Sequence, residues 1–299
     1  MRWGSWVAAV GLVWGSAAAA PPGSVPGLSV PAVPAPAEQS DLRSQYALAK
    51  RYAKGQGVPQ DYAKAAESMR QAAEGGLAEA QNDLGAMYAR GEGVPRNYEE
   101  AAKWYRKAAE QGDALAQYSL GRISLIGRGL PKDVGAAIQW YRRSADQNQP
   151  DAQCALGNLY FLGKEVKQDY PAAAKWLRAA AEQNFVGAMN NLGYLYEYGM
   201  GVGRDLTEAA KWYKRAAEKN DPKGQANYGV MCFEGTGGVP QDLVQAYKWL
   251  RLSALQEDPI GKKYLLDVED GSWSITPSQI MEAERLVSEF RGQLHADKP

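Results

Sequence analysis

Histidine is nearly absent: among 299 residues the only one is His295, in the polar C-terminal stretch. A Ser-His-Asp triad within the body of the chain, an H-E-x-x-H zinc motif and any multi-histidine metal site are therefore excluded. Cysteine is scarce, with only Cys154 and Cys232, and nothing requires a disulfide. No charge of one sign predominates, since 34 Lys+Arg face 34 Asp+Glu. Non-specific nucleic-acid binding needs a basic excess or stripe, so no nucleic-acid partner is expected. The motifs G-x-S-x-G and S-x-x-K are missing, and with them two familiar serine-nucleophile arrangements. No catalytic residue, no metal ligand and no cofactor is expected.

Long apolar runs are also lacking. The stretch Trp3 to Trp14 is mostly apolar but short for a membrane span of about 20 residues, and Gly4, Ser5 and Gly11 dilute it. It follows the basic start Met1-Arg2 and precedes Ser16-Ala17-Ala18-Ala19-Ala20 and Pro21-Pro22. This is the order of a secretory signal peptide, residues 1–19, with cleavage expected after Ala19. The alternative is a short segment retained as an N-terminal membrane anchor. No cysteine follows the small-residue site, so a lipid anchor is not supported. Residues 20–40, rich in Pro and Ala, read as an extended linker. On this reading the protein is periplasmic or secreted, and it touches a membrane only during export or through a retained anchor.

What is present is repetition. NYEEAAKWYRKAAEQGDALAQYSLG (97–121) returns almost letter for letter as DLTEAAKWYKRAAEKNDPKGQANYG (205–229), and Trp104, Trp140, Trp176 and Trp212 recur every 36 residues. A fixed period of roughly 20–50 residues means a stack of like supersecondary units. Taking Gln81 as the first position of a unit, its equivalents are Gln45, Gln117, Gln153, Met189, Gln225 and, after one inserted residue, Lys262. That gives six full units and a partial seventh.

Each unit reads as two helices. In the first, Leu84 and Tyr88 share a face, and Gly85 permits close approach of another helix despite its cost in helix propensity. Gly91-Glu92-Gly93 ends that helix, and Pro95 bars its continuation. Asn97 and its equivalents Asp61, Asp133, Asp169, Asp205 and Asp242 are good caps for the second helix. Asn97 with Glu100 and Asp205 with Glu208 match capping boxes. The second helix pairs an apolar face of Ala101, Ala102, Trp104, Tyr105, Ala108 and Ala109 with solvent-facing Lys103, Arg106 and Lys107. The recurrent Gly-x-Gly turns follow helices and lack a Walker lysine, so they are helix terminators and not phosphate loops. Acidic pairs such as Glu99-Glu100 suit a helix N-terminus better than an acid/base dyad. Cys154 and Cys232 fall two units apart. Packed neighbouring helices are about 8–10 Å apart, so these thiols exceed the roughly 7 Å Cα limit of a disulfide. Both read as small apolar residues buried in helices.

The segment AEAQNDLGAMYARGEGVPRNYEEAAKWYRKAAEQG (78–112) and its neighbours resemble the Sel-1-like repeat family, a relative of the tetratricopeptide repeats. The turn G-x-G-V-P followed by A-A-x-W-Y and A-A-x-x-G carries the resemblance. It implies an all-α, right-handed α/α solenoid of about six and a half repeats over residues 41–265, with a capping helix and polar tail at 266–299. Two loops depart from the pattern and are expected to be irregular: Lys164-Glu165 in unit four, and Gly235-Thr236-Gly237-Gly238 in unit six. Some cysteine-rich relatives have been described as acting on β-lactams, with paired cysteines in each repeat, a framework this chain lacks.

The resemblance further implies a non-enzymatic scaffold or adaptor binding a protein or peptide on a concave face lined by the first helices, and the chain is expected to be a monomer. The variable positions there turn apolar and aromatic in units three to six. Aromatic and Arg side chains are common interface anchors, and Asn can bond an extended backbone. The candidate site is Tyr118, Arg122, Asn158, Phe161, Asn190, Tyr194, Tyr198, Asn227 and Phe233. For Phe161 and Phe233 a second reading stands beside it, in which each packs beneath the next loop. An envelope hydrolase acting on cell-wall or β-lactam-like substrates is an alternative with no nucleophile–base pair to support it. A structural envelope protein contacting glycan through the aromatic face is another.

Overall fold

The computed structural model describes residues 36–296. The expected signal peptide and residues 20–35 of the expected linker lie outside the described residues. Residues 36–40, expected to end the linker, are instead the first turn of a helix.

The described residues form helices joined by short turns, and no strand occurs among them. The first helices of the units are α1 (Pro36–Lys54), α3 (Ala78–Arg90), α5 (Ala114–Ile126), α7 (Pro150–Leu162), α9 (Val186–Tyr198), α11 (Pro222–Glu234) and α13 (Pro259–Glu269). Their partners are α2 (Tyr62–Glu74), α4 (Tyr98–Glu110), α6 (Val134–Asp146), α8 (Tyr170–Glu182), α10 (Leu206–Glu218) and α12 (Leu243–Leu255), and a last helix, α14 (Pro277–Ala296), packs on α12. From α1 to α13 each helix packs on the next in the chain, which is the connectivity of a solenoid. Successive first helices also touch, α7 with α9 and α9 with α11.

The local grammar explains the boundaries. Each first helix from α3 to α11 ends on a glycine in the left-handed conformation: Gly91, Gly127, Gly163, Gly199 and Gly235. Asp61, Asn97, Asp133, Asp169, Asp205 and Asp242 cap the second helices through their side chains. The reciprocal half of the capping box does not form. The backbone N–H of Asn97 donates instead to the Tyr88 carbonyl at 2.9 Å, and the same bond recurs from Asp61, Asp133, Asp169, Asp205 and Asp242. Glu100, free of that duty, pairs with Lys103.

The core is built from the repeated letters. Leu84, Leu120, Leu156 and Leu192 are buried, as are Ala101, Ala108 and their equivalents. Each such leucine contributes roughly 1.5–3 kcal/mol of burial. The second glycine of the turn does more than end a helix. A Cβ on Gly93 would lie 1.8 Å from the Tyr62 carbonyl oxygen, and one on Gly129 would lie 2.2 Å from that of Tyr98. These glycines let each turn press against the start of the preceding unit's second helix. Both cysteines are buried and free.

Candidate interaction surface

The variable positions of the first helices come together on one side of units three to five. Position ten carries Ile126, Leu162 and Tyr198, which are 54%, 53% and 55% exposed. These are large apolar groups at one structural position in three successive units. The same position is Arg90 in unit two and Glu234 in unit six, so charge bounds the stripe at both ends.

Beside the stripe the aromatic rings form a chain. Tyr194 lies 4.5 Å from Tyr198 between centroids. Phe161 meets Tyr194 edge-on at 5.8 Å and Tyr170 at 6.1 Å. Phe161, half-buried, therefore packs under the turn leading into α8 and also supports half-buried Tyr194, on which exposed Tyr198 rests. One unit earlier Tyr118 lies against Tyr141 at 5.7 Å. Burial pushes the Tyr118 phenol above its ordinary value, while the Arg122 charge pulls it down. Arg122 is exposed and has no ion-pair partner among the described residues.

The asparagines differ from expectation. Asn191 donates to Asn158 at 2.7 Å, and Asn227 donates to Asn190 at 2.8 Å. Asn158 also donates to the Cys154 sulfur at 3.4 Å. Their first task is to tie successive first helices together, as Tyr46 does by donating to Asp83 at 2.8 Å. Phe233, for which both an exposed and a packed position were open, lies further from the open face. Its ring stacks on Trp273 at 4.4 Å and meets Tyr264 edge-on at 5.8 Å. The segment after α13 has claimed it, so it belongs to the terminal packing and not to the open face.

A feature that residue types alone do not reveal lies at the junction of units three and four. A cavity of about 370 Å³ is lined by Leu125, Tyr141, Ala155, Asn158, Leu159 and Leu162, with Lys164 and Glu165 at its edge. Glu165 replaces the second glycine of the turn. A residue with a Cβ cannot make the approach that Gly93 and Gly129 make, and Glu165 reaches Lys132 at 2.9 Å instead. Ala155 is apolar where units two, three, five and six carry Asp83, Ser119, Asn191 and Asn227. Both signals stand in the sequence, but the cavity requires the neighbouring unit to be in place.

No group of His, Cys, Asp and Glu among the described residues could hold a metal ion. Nor is any described helix long and apolar enough to cross a membrane.

A stack of helix pairs with a varied first-helix face defines an α-solenoid of short helical repeats. The Sel1 repeat model matches residues 42–77, 78–113, 114–149, 150–185, 186–221 and 222–258, and the chain belongs to the Sel1 repeat family. Its structure is similar to that of a protective antigen of uropathogenic Escherichia coli strains displaying an SLR fold, at 35% identity and a TM-score of 0.73. That match covers 85% of this chain and 54% of the antigen, so the present chain spans about half its relative's length. A Sel1 repeat protein from Oxalobacter formigenes matches at 33% identity and a TM-score of 0.67, over 72% of this chain and 88% of that one. No curated protein gives a significant match. Sel1 repeat proteins are generally protein-interaction scaffolds, typically without catalytic activity.

Proposed function

We propose that this protein is an adaptor that holds a peptide segment of a protein partner along the first helices of units three to five. The observation that carries the reading is the stripe Ile126, Leu162 and Tyr198, exposed at one position in three successive units and bounded by Arg90 and Glu234. Singly exposed apolar residues are ordinary, whereas an aligned set is the mark of a binding surface. Direct contact between successive first helices supports reading this side as the inner, concave one, because helices on the inside of a curved stack crowd together.

The spacing suggests what the peptide looks like. First helices that touch lie roughly 10 Å apart. A polyproline II strand advances about 3.1 Å per residue and returns to the same face every third residue. A peptide with apolar side chains at every third position would place one on each unit. Arg122 offers a charged partner to an acidic side chain beside them. Asn190 Nδ2 and Asn227 Oδ1 have no bond to another described residue and are free for its backbone.

On the strength of the first nineteen residues we place this binding outside the cytoplasm. An exported protein with an N-terminus other than at Ala20 would contradict the cleavage expected there.

The test is photo-crosslinking in the cell of origin from position 198 and from position 103, on the opposite face. The reading expects one discrete adduct from position 198 that disappears with Leu162→Asp and is not formed from position 103. Equal capture from both positions would overturn it.

A further inference from the structure

The end of the array is built differently from its middle. Position five of the first helix is glycine in units two to six, and a Cβ there would lie 2.6–2.8 Å from the ring or side chain of the unit's own second helix. In α13 that position is Leu266. A leucine bars a second helix from seating on α13 as the others do. Accordingly α14 packs on α12 instead. Phe290 meets Trp249 edge-on at 5.4 Å, and Glu284 accepts from Tyr247 at 3.0 Å and Arg251 at 3.1 Å.

The seat that a seventh second helix would fill is left open. It is a groove of about 450 Å³ between α12 and α13, floored by Ala254, Leu255, Leu265 and Leu266 and flanked by Lys262 and Glu269. Leu266 is 62% exposed and Leu255 43%. Lys262, Leu265, Leu266 and Glu269 follow the spacing i, i+3, i+4, i+7, which is one helix face. That face is complementary to itself. In an antiparallel pair with the two-fold axis between Leu265 and Leu266, each Leu265 meets a Leu266 and each Lys262 meets a Glu269. Glu269 has no ion-pair partner among the described residues, and Lys262 reaches only Glu257 of its own chain.

We propose that α13 is a homodimer interface, in which two copies of this chain pack their α13 helices antiparallel in an isologous contact. The dimer replaces the monomer expected from an array with its own terminal cap. Its patch is little more than one helix face, below the roughly 800 Å² per partner of a standard stable interface. Association is therefore reversible and concentration-dependent. This surface is separate from the peptide face, so the two readings stand or fall independently.

The test is sedimentation of the full chain over about 1 μM to 1 mM, which brackets weak affinities. The mass should rise from monomer to dimer. Leu266→Glu should abolish the rise while leaving the circular dichroism spectrum unchanged, since the side chain is exposed. Lys262→Glu and Glu269→Lys should each weaken the dimer about tenfold, and the double variant should restore it, as charge complementarity demands. A monomer at every concentration, a dimer that survives Leu266→Glu, or a double variant weaker than either single change would overturn the proposal.

Discussion

Gln183 donates its side-chain amide to Gln153 at 2.8 Å, tying the cap of α8 to the first turn of α7. Gln153 in turn donates to the Ala145 carbonyl at the end of α6. The buried amide thus links the ends of two successive second helices. The same bond joins Gln111 to Gln81, Gln147 to Gln117 and Gln256 to Gln225. Two units depart: unit one keeps Gln45 but has Gly75 at the cap of α2, and unit five has buried Met189 opposite exposed Lys219. In unit five both members of the pair change together.

That exchange predicts what the site tolerates. Gln153→Met should cost no more than about 1.5 kcal/mol, because it keeps the packing volume, while exposed Gln183 turns to water and the Ala145 carbonyl still accepts from the Asn148 N–H. Gln153→Ala should cost roughly 2–4 kcal/mol through the cavity and the lost bonds. Urea unfolding of the two variants checks the order, and equal losses would contradict it.

Two glycines in adjoining helices should respond with opposite signs. A Cβ on Gly121 would lie 2.7 Å from the Tyr141 ring, whereas Gly135, exposed on α6, meets only the Asp133 carboxylate at 3.4 Å. Gly121→Ala should destabilise by about 1–3 kcal/mol through overpacking. Gly135→Ala should stabilise by up to about 1 kcal/mol through helix propensity. Melting temperatures read both signs at once.

Overpacking also sets the response of the buried alanines. Ala108 is fully buried on α4, so Ala108→Leu should destabilise by roughly 1–3 kcal/mol. An unchanged melting temperature would mean that this face of α4 is not packed.

Stability should fall at alkaline pH. Burial pushes the thiols of Cys154 and Cys232 from 9.0 up to about 11. Burial likewise raises the phenols of Tyr228 and Tyr247 from 10.0 to about 12, helped at Tyr247 by its bond to Glu284. These groups stay protonated in the fold and ionise in the unfolded chain. Their contribution is whole below pH 9 and is lost progressively as pH rises from about 9 to about 12. Lys248, lowered by burial, acts with the opposite sign but alone. Urea midpoints should be flat from pH 7 to 9 and drop above that, and a flat profile to pH 11 would contradict the burial of these groups.

The period, the helix ends and the buried stripe were legible in the sequence because each depends on nearby residues. Gly91 ends α3 and Asp205 caps α10 wherever the chain lies. The links between units were not legible. Asn191 finds Asn158 33 residues back, and Asn227 finds Asn190 37 residues back, so different positions of the unit pair at successive junctions. The capping boxes failed for a related reason, since the first helix supplies a carbonyl that satisfies the Asn97 N–H before Glu100 can. Phe233 stood open between an exposed and a packed position because its partner, Trp273, lies beyond the last repeat. Of the nine candidate residues, the exposed Arg122 and Tyr198 could be read from their variable positions, whereas the cavity beside Ala155 depends on the turn at Glu165.

The account turns on the stripe of units three to five, and peptide selection tests it most directly. Ligands would be selected from a random library on the purified protein, and their affinities measured for wild type, Leu162→Asp, Tyr198→Ala and Lys103→Ala. The account predicts peptides with apolar residues at every third position. Each should weaken at least about tenfold, or 1.4 kcal/mol, on Leu162→Asp and Tyr198→Ala, and be unaffected by Lys103→Ala. Ligands that ignore the first two changes and respond to the third would place binding on the opposite face and contradict it.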